Sequence, residues 1–299
     1  MHCSKCGKNH RITLYNFSLL KYNPVITTPH PGAMKGTTVM KKFIALVMAL
    51  VMMASCFAGC SGNGNASDLA YIQEKGKLVV GITDYPPMDY KDENGEWTGF
   101  DAELARLFAA ELGVECEFFI IADWSKKVFE LDSKNIDVIW NGMTINEELL
   151  NTTSCSDPYV VNAQVLVMKD DKLANYTDAA SIKDLTIAVE NGSAGEKIAK
   201  EVGCTNVVAV QDQAAALLEV AAGTSDACVV DITIANTMTA DGAAYSDLGV
   251  GFSLTSESFG IGFRKGSDVT AKLNAFLAKL KENGQLQALA TKYELTLAN

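Results

Sequence analysis

Histidine is almost absent from this 299-residue chain: His2, His10 and His30 are the only three, and all precede residue 40. Without imidazole, the rest of the chain cannot run Ser-His-Asp or Cys-His nucleophilic catalysis, nor ligate zinc through histidine. Arginine is scarce as well, and beyond residue 60 only Arg106 and Arg264 occur. Residues 1–60 carry seven Lys/Arg and no acid, so 18 of the 25 basic residues face all 36 acids beyond residue 60, a net charge there of −18. No basic patch interrupts that excess, which excludes nucleic acid as a partner. Long apolar runs are missing too: the longest, residues 43–57, falls short of the roughly 20 residues that span a bilayer. Four of the eight cysteines, Cys116, Cys155, Cys204 and Cys228, follow residue 60, each in an apolar run. Buried free thiols are the first expectation, with a Cys204–Cys228 disulfide as the alternative. No metal set or cofactor motif is present.

What the chain does have begins at Met40. The stretch "MKKFIALVMALVMMASCFAGCSGNGNAS" opens with Lys41 and Lys42, continues through the apolar run 43–57, and reaches Ala58-Gly59-Cys60. That is a secretory signal, residues 40–59, and its terminal cysteine has the form of a bacterial lipobox. Cys56 in "MASC" is a competing acceptor. Cys60 fits better because the Gly/Ser/Asn-rich segment starts immediately after it, read here as a flexible linker over 60–76. Two or three acyl chains on one cysteine anchor a protein stably, and place it extracytoplasmically on the outer face of the cytoplasmic membrane. Residues 1–39 fit nothing downstream. "CSKCGKNH" is half of a zinc ribbon without its other half. The better reading is a start at Met40, with 1–39 a mis-called leader.

The body alternates strand and helix. "KLVVGI" is a buried strand, Asn94-Gly95 a hairpin turn, and "GFDAELARLFAAELG" an amphipathic helix closed by Gly113. "VECEFFI", a short helix in "DWSKKVFELDSK" and the strand "IDVIWNG" complete a βαβαβ set. A second set runs from 185 to 239, between two long extended stretches, 159–169 and 248–264, and two amphipathic helices end the chain. This predicts an α/β protein of two lobes with mostly parallel sheets.

The stretch "GITDYPPMDY" at 81–90 is unusual. Pro86 and Pro87 have no N–H to donate, so they cut a core strand off where Asp84 and Tyr85 sit. Two further segments, "LDSKNIDVIWNG" and "VAAGTSDACVVD", share one plan: a helix end, a turn, an Asp, a buried strand and a polar tip, Asn141 in one and Asp231 in the other. Ligands of open α/β sheets bind beyond the carboxyl ends of strands. Two lobes with polar tips imply a cleft between them, with the two extended crossings as its hinge.

Eight segments, "VGITDYPPMDY", "GFDAELARLFAAELG", "DWSKKV", "IDVIWNGMTI", "SDPYV", "VENGSAGEKIAKE", "SDACVVD" and "GIGFRKGS", occur in an order and spacing that resemble the substrate-binding proteins of bacterial amino-acid ABC transporters, family 3 of the extracellular solute-binding proteins. The resemblance covers residues 77–296. It implies a type II periplasmic-binding-protein fold, with lobe 1 at 77–166 plus 256–299 and lobe 2 at 167–255. It implies a monomer that captures an amino acid or related small amine and delivers it to an ABC permease. A receptor subunit for a signalling partner, or a dehydratase-type enzyme on the same fold, are the alternatives.

By resemblance the cleft is lined by Asp84, Tyr85, Trp124, Asn141, Gly142, Met143, Thr144, Ser193 and Asp231. Trp124 stacks on the ligand, residues 141–144 hydrogen-bond it, Ser193 opens a helix whose N–H groups favour a carboxylate, and Asp231 pairs with its ammonium. Packing against Trp97 or Phe100 is the plainer role for Tyr85, surface cover for Trp124, and helix capping for Asp231. Trp140 is a further aromatic candidate. Two positions depart from the family pattern. Leu149 stands where the family has an arginine that grips the ligand carboxylate, and Ala194 where it has Thr or Ser. The amine end of the ligand is therefore better provided for than its carboxylate end. Any carboxylate is expected on backbone N–H groups near Gly142–Thr144 and Ser193.

The signal segment is directly testable. Cys60→Ala should leave the protein unprocessed or released from membranes; lipid found on Cys56 would overturn the assignment.

Overall fold

The computed structural model describes residues 67–299. The expectations for the leader, the signal, Cys56, Cys60 and the start of the linker fall outside the described residues. The end of that linker is not a linker. Asp68–Lys75 form helix α1: Ser67 accepts from the N–H of Ala70 at its start, and Gly76 ends it with φ 74°. Ile72 is fully buried beneath it. A serine cap and a left-handed glycine are sufficient helix signals, and eight residues with one core contact fall short of a conspicuous apolar stripe.

Lobe 1 is built on β1 (Lys77–Ile82), β4 (Glu115–Ile120), β5 (Val138–Thr144), β6 (Thr153–Cys155), β7 (Val160–Asn162) and β13 (Glu257–Arg264). Their order is β4-β1-β5-β13-β6, with β7 also beside β13. β1 pairs parallel with β4 and β5, whereas β13 runs antiparallel to β5, β6 and β7. The short β2 (Tyr90–Lys91) and β3 (Trp97–Thr98) form the hairpin turned by Asn94-Gly95. Helices α2 (Phe100–Leu112), α3 (Lys127–Asp132), α4 (Glu147–Thr152), α8 (Val269–Glu282) and α9 (Gln285–Lys292) belong to this lobe.

Lobe 2 holds β8 (Gln164–Lys169), β9 (Thr186–Glu190), β10 (Asn206–Val210), β11 (Ala227–Asp231) and β12 (Leu248–Ser253), in the order β10-β9-β11-β8-β12. Its helices are α5 (Ala194–Glu201), α6 (Gln213–Ala222) and α7 (Ile232–Thr239). Here too the sheet is mixed: β9 pairs parallel with β10 and β11, while β8 opposes both β11 and β12. The expectation of mostly parallel sheets therefore needs correction. Each extended stretch that crosses between lobes gives one strand to either sheet, and two of these strands, β8 and β13, run back against the parallel set. The crossings lie at Ala163, between β7 and β8, and at 254–256, between β12 and β13. The first boundary thus falls about three residues earlier than the pattern suggested, because "QVLVMK" already pairs with β11. Among the described residues all four cysteines are free thiols, so the Cys204–Cys228 alternative falls.

Where α1 meets lobe 1, Arg264 organises a buried polar node. Its Nε donates to Asp68 Oδ1 at 2.9 Å, its Nη1 to the carbonyls of Leu131 and Ile136, and its Nη2 reaches Asp137 Oδ1 at 3.4 Å. Asp137, fully buried, also accepts from Val79 N–H and pairs with Lys75. Removing one partner of a buried ion pair leaves the other uncompensated, at about 3 kcal/mol. Arg264→Met should therefore lower the urea midpoint by that free energy without changing the slope; a loss below about 1 kcal/mol would contradict the node's role.

Candidate functional site

Four strands carry the site. β1 and β5 of lobe 1, and β9 and β11 of lobe 2, end towards the gap between the lobes. Their tips place Thr83, Asn141–Thr144, Glu190 and Asp231 there. A narrow cavity is lined by Trp124, Asn141, Gly142, Met143, Thr144, Leu149, Ser193 and Asp231, together with Lys127, Asn146, Glu190, Gly192, Ala194 and Gln213. Its walls come close together: about 30 Å³ is open to the centre of a water-sized sphere. Seven of the nine residues expected in the cleft line this cavity. Leu149 and Ala194, the two departures from the family pattern, line it too.

Asp231 is the best-supported acid. It is 4% exposed. Its Oδ1 accepts from Asn162 Nδ2 and Gln164 Nε2, and its Oδ2 from Gln213 Nε2. Its own N–H donates to Gln213 Oε1 at 2.8 Å. The side chain makes no cap hydrogen bond to α7, so helix capping is not its role. Burial and the nearby Glu257 carboxylate push its pKa up to about 6, against the pull of the Gln213, Asn162 and Tyr85 hydrogen bonds. Glu190, at the tip of β9, is 4% exposed. Burial and Asp231 hold it well above the usual carboxylate range, offset in part by Lys127.

Trp124 sits in a 3-10 turn that Asp123 opens by accepting from Ser125 N–H. It is buried among Val79, Ile121, Met143 and Leu149, which replaces surface cover with a cavity wall. The segment 141–144 lines the cavity, but much of its polarity is already used. Asn141 Oδ1 accepts from Thr83 N–H and its Nδ2 donates to Thr83 Oγ1. The Gly142 N–H goes to Asp101 Oδ2 at 2.8 Å, and Thr144 Oγ1 donates to Glu257 Oε1 at 2.8 Å. Gly142 has φ +56°, and a Cβ there would stand 2.5 Å from Tyr85 Cε1. A ligand carboxylate on the Gly142 N–H, as expected from the sequence, therefore has no donor. Ser193 caps α5 by accepting from Glu196 N–H, while its own N–H donates to the carbonyl of Glu190.

Three candidates fall elsewhere. Asp84 is exposed and opens onto a separate groove with Lys91 and Asp212, because the chain turns at the strand tip and sends Tyr85 inward instead. Tyr85 is 2% exposed and stands beside the cavity rather than in its wall. Its ring packs edge-on to Phe259, not on Trp97 or Phe100, and its hydroxyl shares a 2.5 Å hydrogen bond with Thr233 of lobe 2. Trp140 is a core residue that donates to Asp101 Oδ1 and packs on Phe108.

Lys127, Asn146, Glu190 and Gln213 escaped the sequence reading. Glu190 is the last residue of β9 and so follows the same strand-tip rule that found Asn141 and Asp231. Lys127 lies in "DWSKKV" on a short helix, where a lysine ordinarily reads as solvated surface.

The lobes touch at specific points: Tyr85 to Thr233, Asn191 Nδ2 to Asp123 Oδ1 at 3.0 Å, and Lys127 Nζ to the Gly192 carbonyl at 3.1 Å. Each hydrogen bond contributes about 1 kcal/mol net, or roughly a fivefold shift of an equilibrium. Tyr85→Phe should therefore favour the open arrangement and enlarge the radius of gyration in small-angle scattering. An unchanged profile would reduce Tyr85 to packing.

Comparison with known proteins follows the same lines. The profile of the bacterial extracellular solute-binding proteins, family 3, matches residues 78–296. The L-cystine-binding protein TcyJ of Escherichia coli K12 is 28% identical over 256 residues, 81% of this chain and 92% of the relative. A single-site mutant of arginine-bound ArgBP from T. maritima superimposes with a TM-score of 0.67 at 33% identity, over 71% of this chain and 99% of that one. An ancestral amino acid-binding protein described as a precursor of cyclohexadienyl dehydratase gives a TM-score of 0.71 at 31% identity, over 76% and 99%. With its two-lobe α/β fold, its inter-lobe cavity and a family profile that spans most of its length, the chain belongs to family 3 of the bacterial extracellular solute-binding proteins.

Proposed function

We propose that this protein captures an amino acid with a cationic side chain between its lobes and hands it to an ABC importer, held at the membrane surface by lipid on Cys60. The observation that carries the ligand class is the pair of buried carboxyl groups on the cavity wall, Asp231 and Glu190. Two acids from adjacent strand tips suit a ligand with two positive groups, one of them an α-ammonium. Trp124 adds an aromatic surface for a cation or its aliphatic stem. The arginine-bound relative, similar over most of its length, supports the same class. The reading is capture rather than catalysis, because the residues of the cavity fit the holding of charge.

The test is a thermal-shift and calorimetry panel of L-arginine, L-lysine, L-cystine and L-glutamine. A ligand at 100 times its Kd adds about 2.7 kcal/mol of stability. L-Arginine or L-lysine should give that shift and L-glutamine much less. Asp231→Asn should weaken binding about a hundredfold, and Glu190→Gln about tenfold with selectivity moving towards L-glutamine. Equal binding of L-glutamine and L-arginine by the wild type would overturn the cationic class.

A further inference from the structure

Lys127 is a buried cation that, among the described residues, no carboxylate approaches within salt-bridge distance. It is 9% exposed and, among the described residues, takes part in no ion pair. Among the described residues it is also the only Lys or Arg that lines this narrow cavity, while Lys197 and Lys200 line only the adjoining groove between the lobes. Its Nζ donates to the carbonyl of Trp124 at 3.2 Å and to that of Gly192 at 3.1 Å, and stands 4.9 Å from the Trp124 ring centroid. An ammonium has three N–H donors, so one is left over. A lysine that only needed solvent would extend its stem to the surface, and burying it without an anion is costly. Burial indeed lowers its pKa, with Glu190, Glu148 and Asp123 opposing.

Its position gives that cost a purpose. Gly192 immediately precedes Ser193, the cap of α5, so Nζ lies beside the N-terminus of that helix. The same wall includes Leu149, Asn146 and Ala194. Leu149 is 5% exposed and apolar, and cannot hold an anion. The Gly142 N–H is occupied by Asp101, and the Gly192 N–H by Glu196 Oε2 at 2.7 Å. Every other charged group on the cavity wall is an acid. A carboxylate that reaches this narrow cavity has one cation to meet.

We propose that Lys127 is the residue that holds the carboxylate of the ligand, supplying from α3 the positive charge that Leu149 does not. This rests on the reading of the cavity as an amino-acid site and sharpens it. An α-ammonium faces Asp231, a side-chain cation faces Glu190, and the carboxylate faces Lys127, so three charges of the site answer three of the ligand. It also decides between an amino acid and an amine without a carboxylate: the buried lysine would repel the latter. Because Nζ already binds the Gly192 carbonyl of the opposite lobe, the same side chain joins carboxylate recognition to closure.

The experiment compares L-arginine with agmatine, its decarboxylated form, by titration calorimetry on the wild-type protein and on Lys127→Gln, with Lys127→Arg as the charge-conserving control. The wild type should prefer L-arginine at least tenfold. Lys127→Gln should weaken L-arginine at least tenfold and leave agmatine unchanged or tighter, whereas Lys127→Arg should keep the preference. Equal losses for both molecules would make Lys127 a lobe latch and overturn the assignment, as would a wild type that prefers agmatine. That second measurement needs no variant and stands even if Lys127→Gln fails to fold. A wild type that binds neither molecule overturns the cationic-amino-acid reading and this assignment with it. Binding of both with no carboxylate preference overturns the lysine assignment alone.

Discussion

The structure depends on one buried carboxylate and the amides that hold it. Asp231 ends a lobe 2 strand, but two of its three side-chain donors, Asn162 and Gln164, flank the first crossing between the lobes. The same two amides also donate to Glu257 Oε1, at 2.7 and 2.8 Å, at the start of the strand that follows the second crossing. Thr255 Oγ1 accepts from Gln164 N–H and donates to Glu257 Oε2, stitching the crossings together. Two carboxyl groups thus share two donors across the hinge, and Glu257 raises the cost of ionising Asp231. A ligand cation placed on Asp231 relieves that cost, so ligand binding and hinge geometry are linked through named atoms rather than through distance.

The cleft follows from this arrangement. Parallel strands in each lobe bring polar tips to one gap, and the antiparallel crossing strands hold the lobes in a common frame. Asp101 plays the matching role in lobe 1. Fully buried, it accepts from Trp140 Nε1, Gly142 N–H and the Tyr159 hydroxyl, which fixes the β5 tip beneath Tyr85. Buried polar groups of this kind are stable only when each is partnered, and they leave few conformations to the side chains they hold. The charged groups on the cavity wall that can meet a solute are then Asp231, Glu190 and Lys127, beside the aromatic face of Trp124.

Much of this was legible in the chain. The strand-then-polar-tip plan located Asn141 and Asp231, and the hairpin at Asn94-Gly95 was plain from two residues. What the pattern could not show is where a side chain's valence is already spent. Asn141 and Gly142 do line the cavity, yet Thr83 and Asp101 consume their polar groups, and nothing local announces such long-range partners. Asp84 and Tyr85 illustrate a second limit. The prolines end the strand as expected, but which of two adjacent side chains turns inward is set by Gly142 and Phe259, far along the sequence. Helix α1 was missed because one buried isoleucine and an ion pair with Arg264, rather than periodicity, hold it. Lys127 was missed because burial of a lysine is a tertiary event.

Proton linkage tests the account most directly. Asp231 has a pKa raised to about 6 and Glu190 is raised well above its usual range, both first by burial. A bound cation stabilises the ionised forms, so both pKa values must fall on binding and protons must leave. Calorimetric titration of L-arginine at pH 6, in buffers of differing ionisation enthalpy, reads that number. Net proton release is expected, smaller in Asp231→Asn, and the share that belongs to Asp231 fades as the pH rises well above 6. Tight binding at pH 6 with no proton exchange, or with proton uptake, would contradict it.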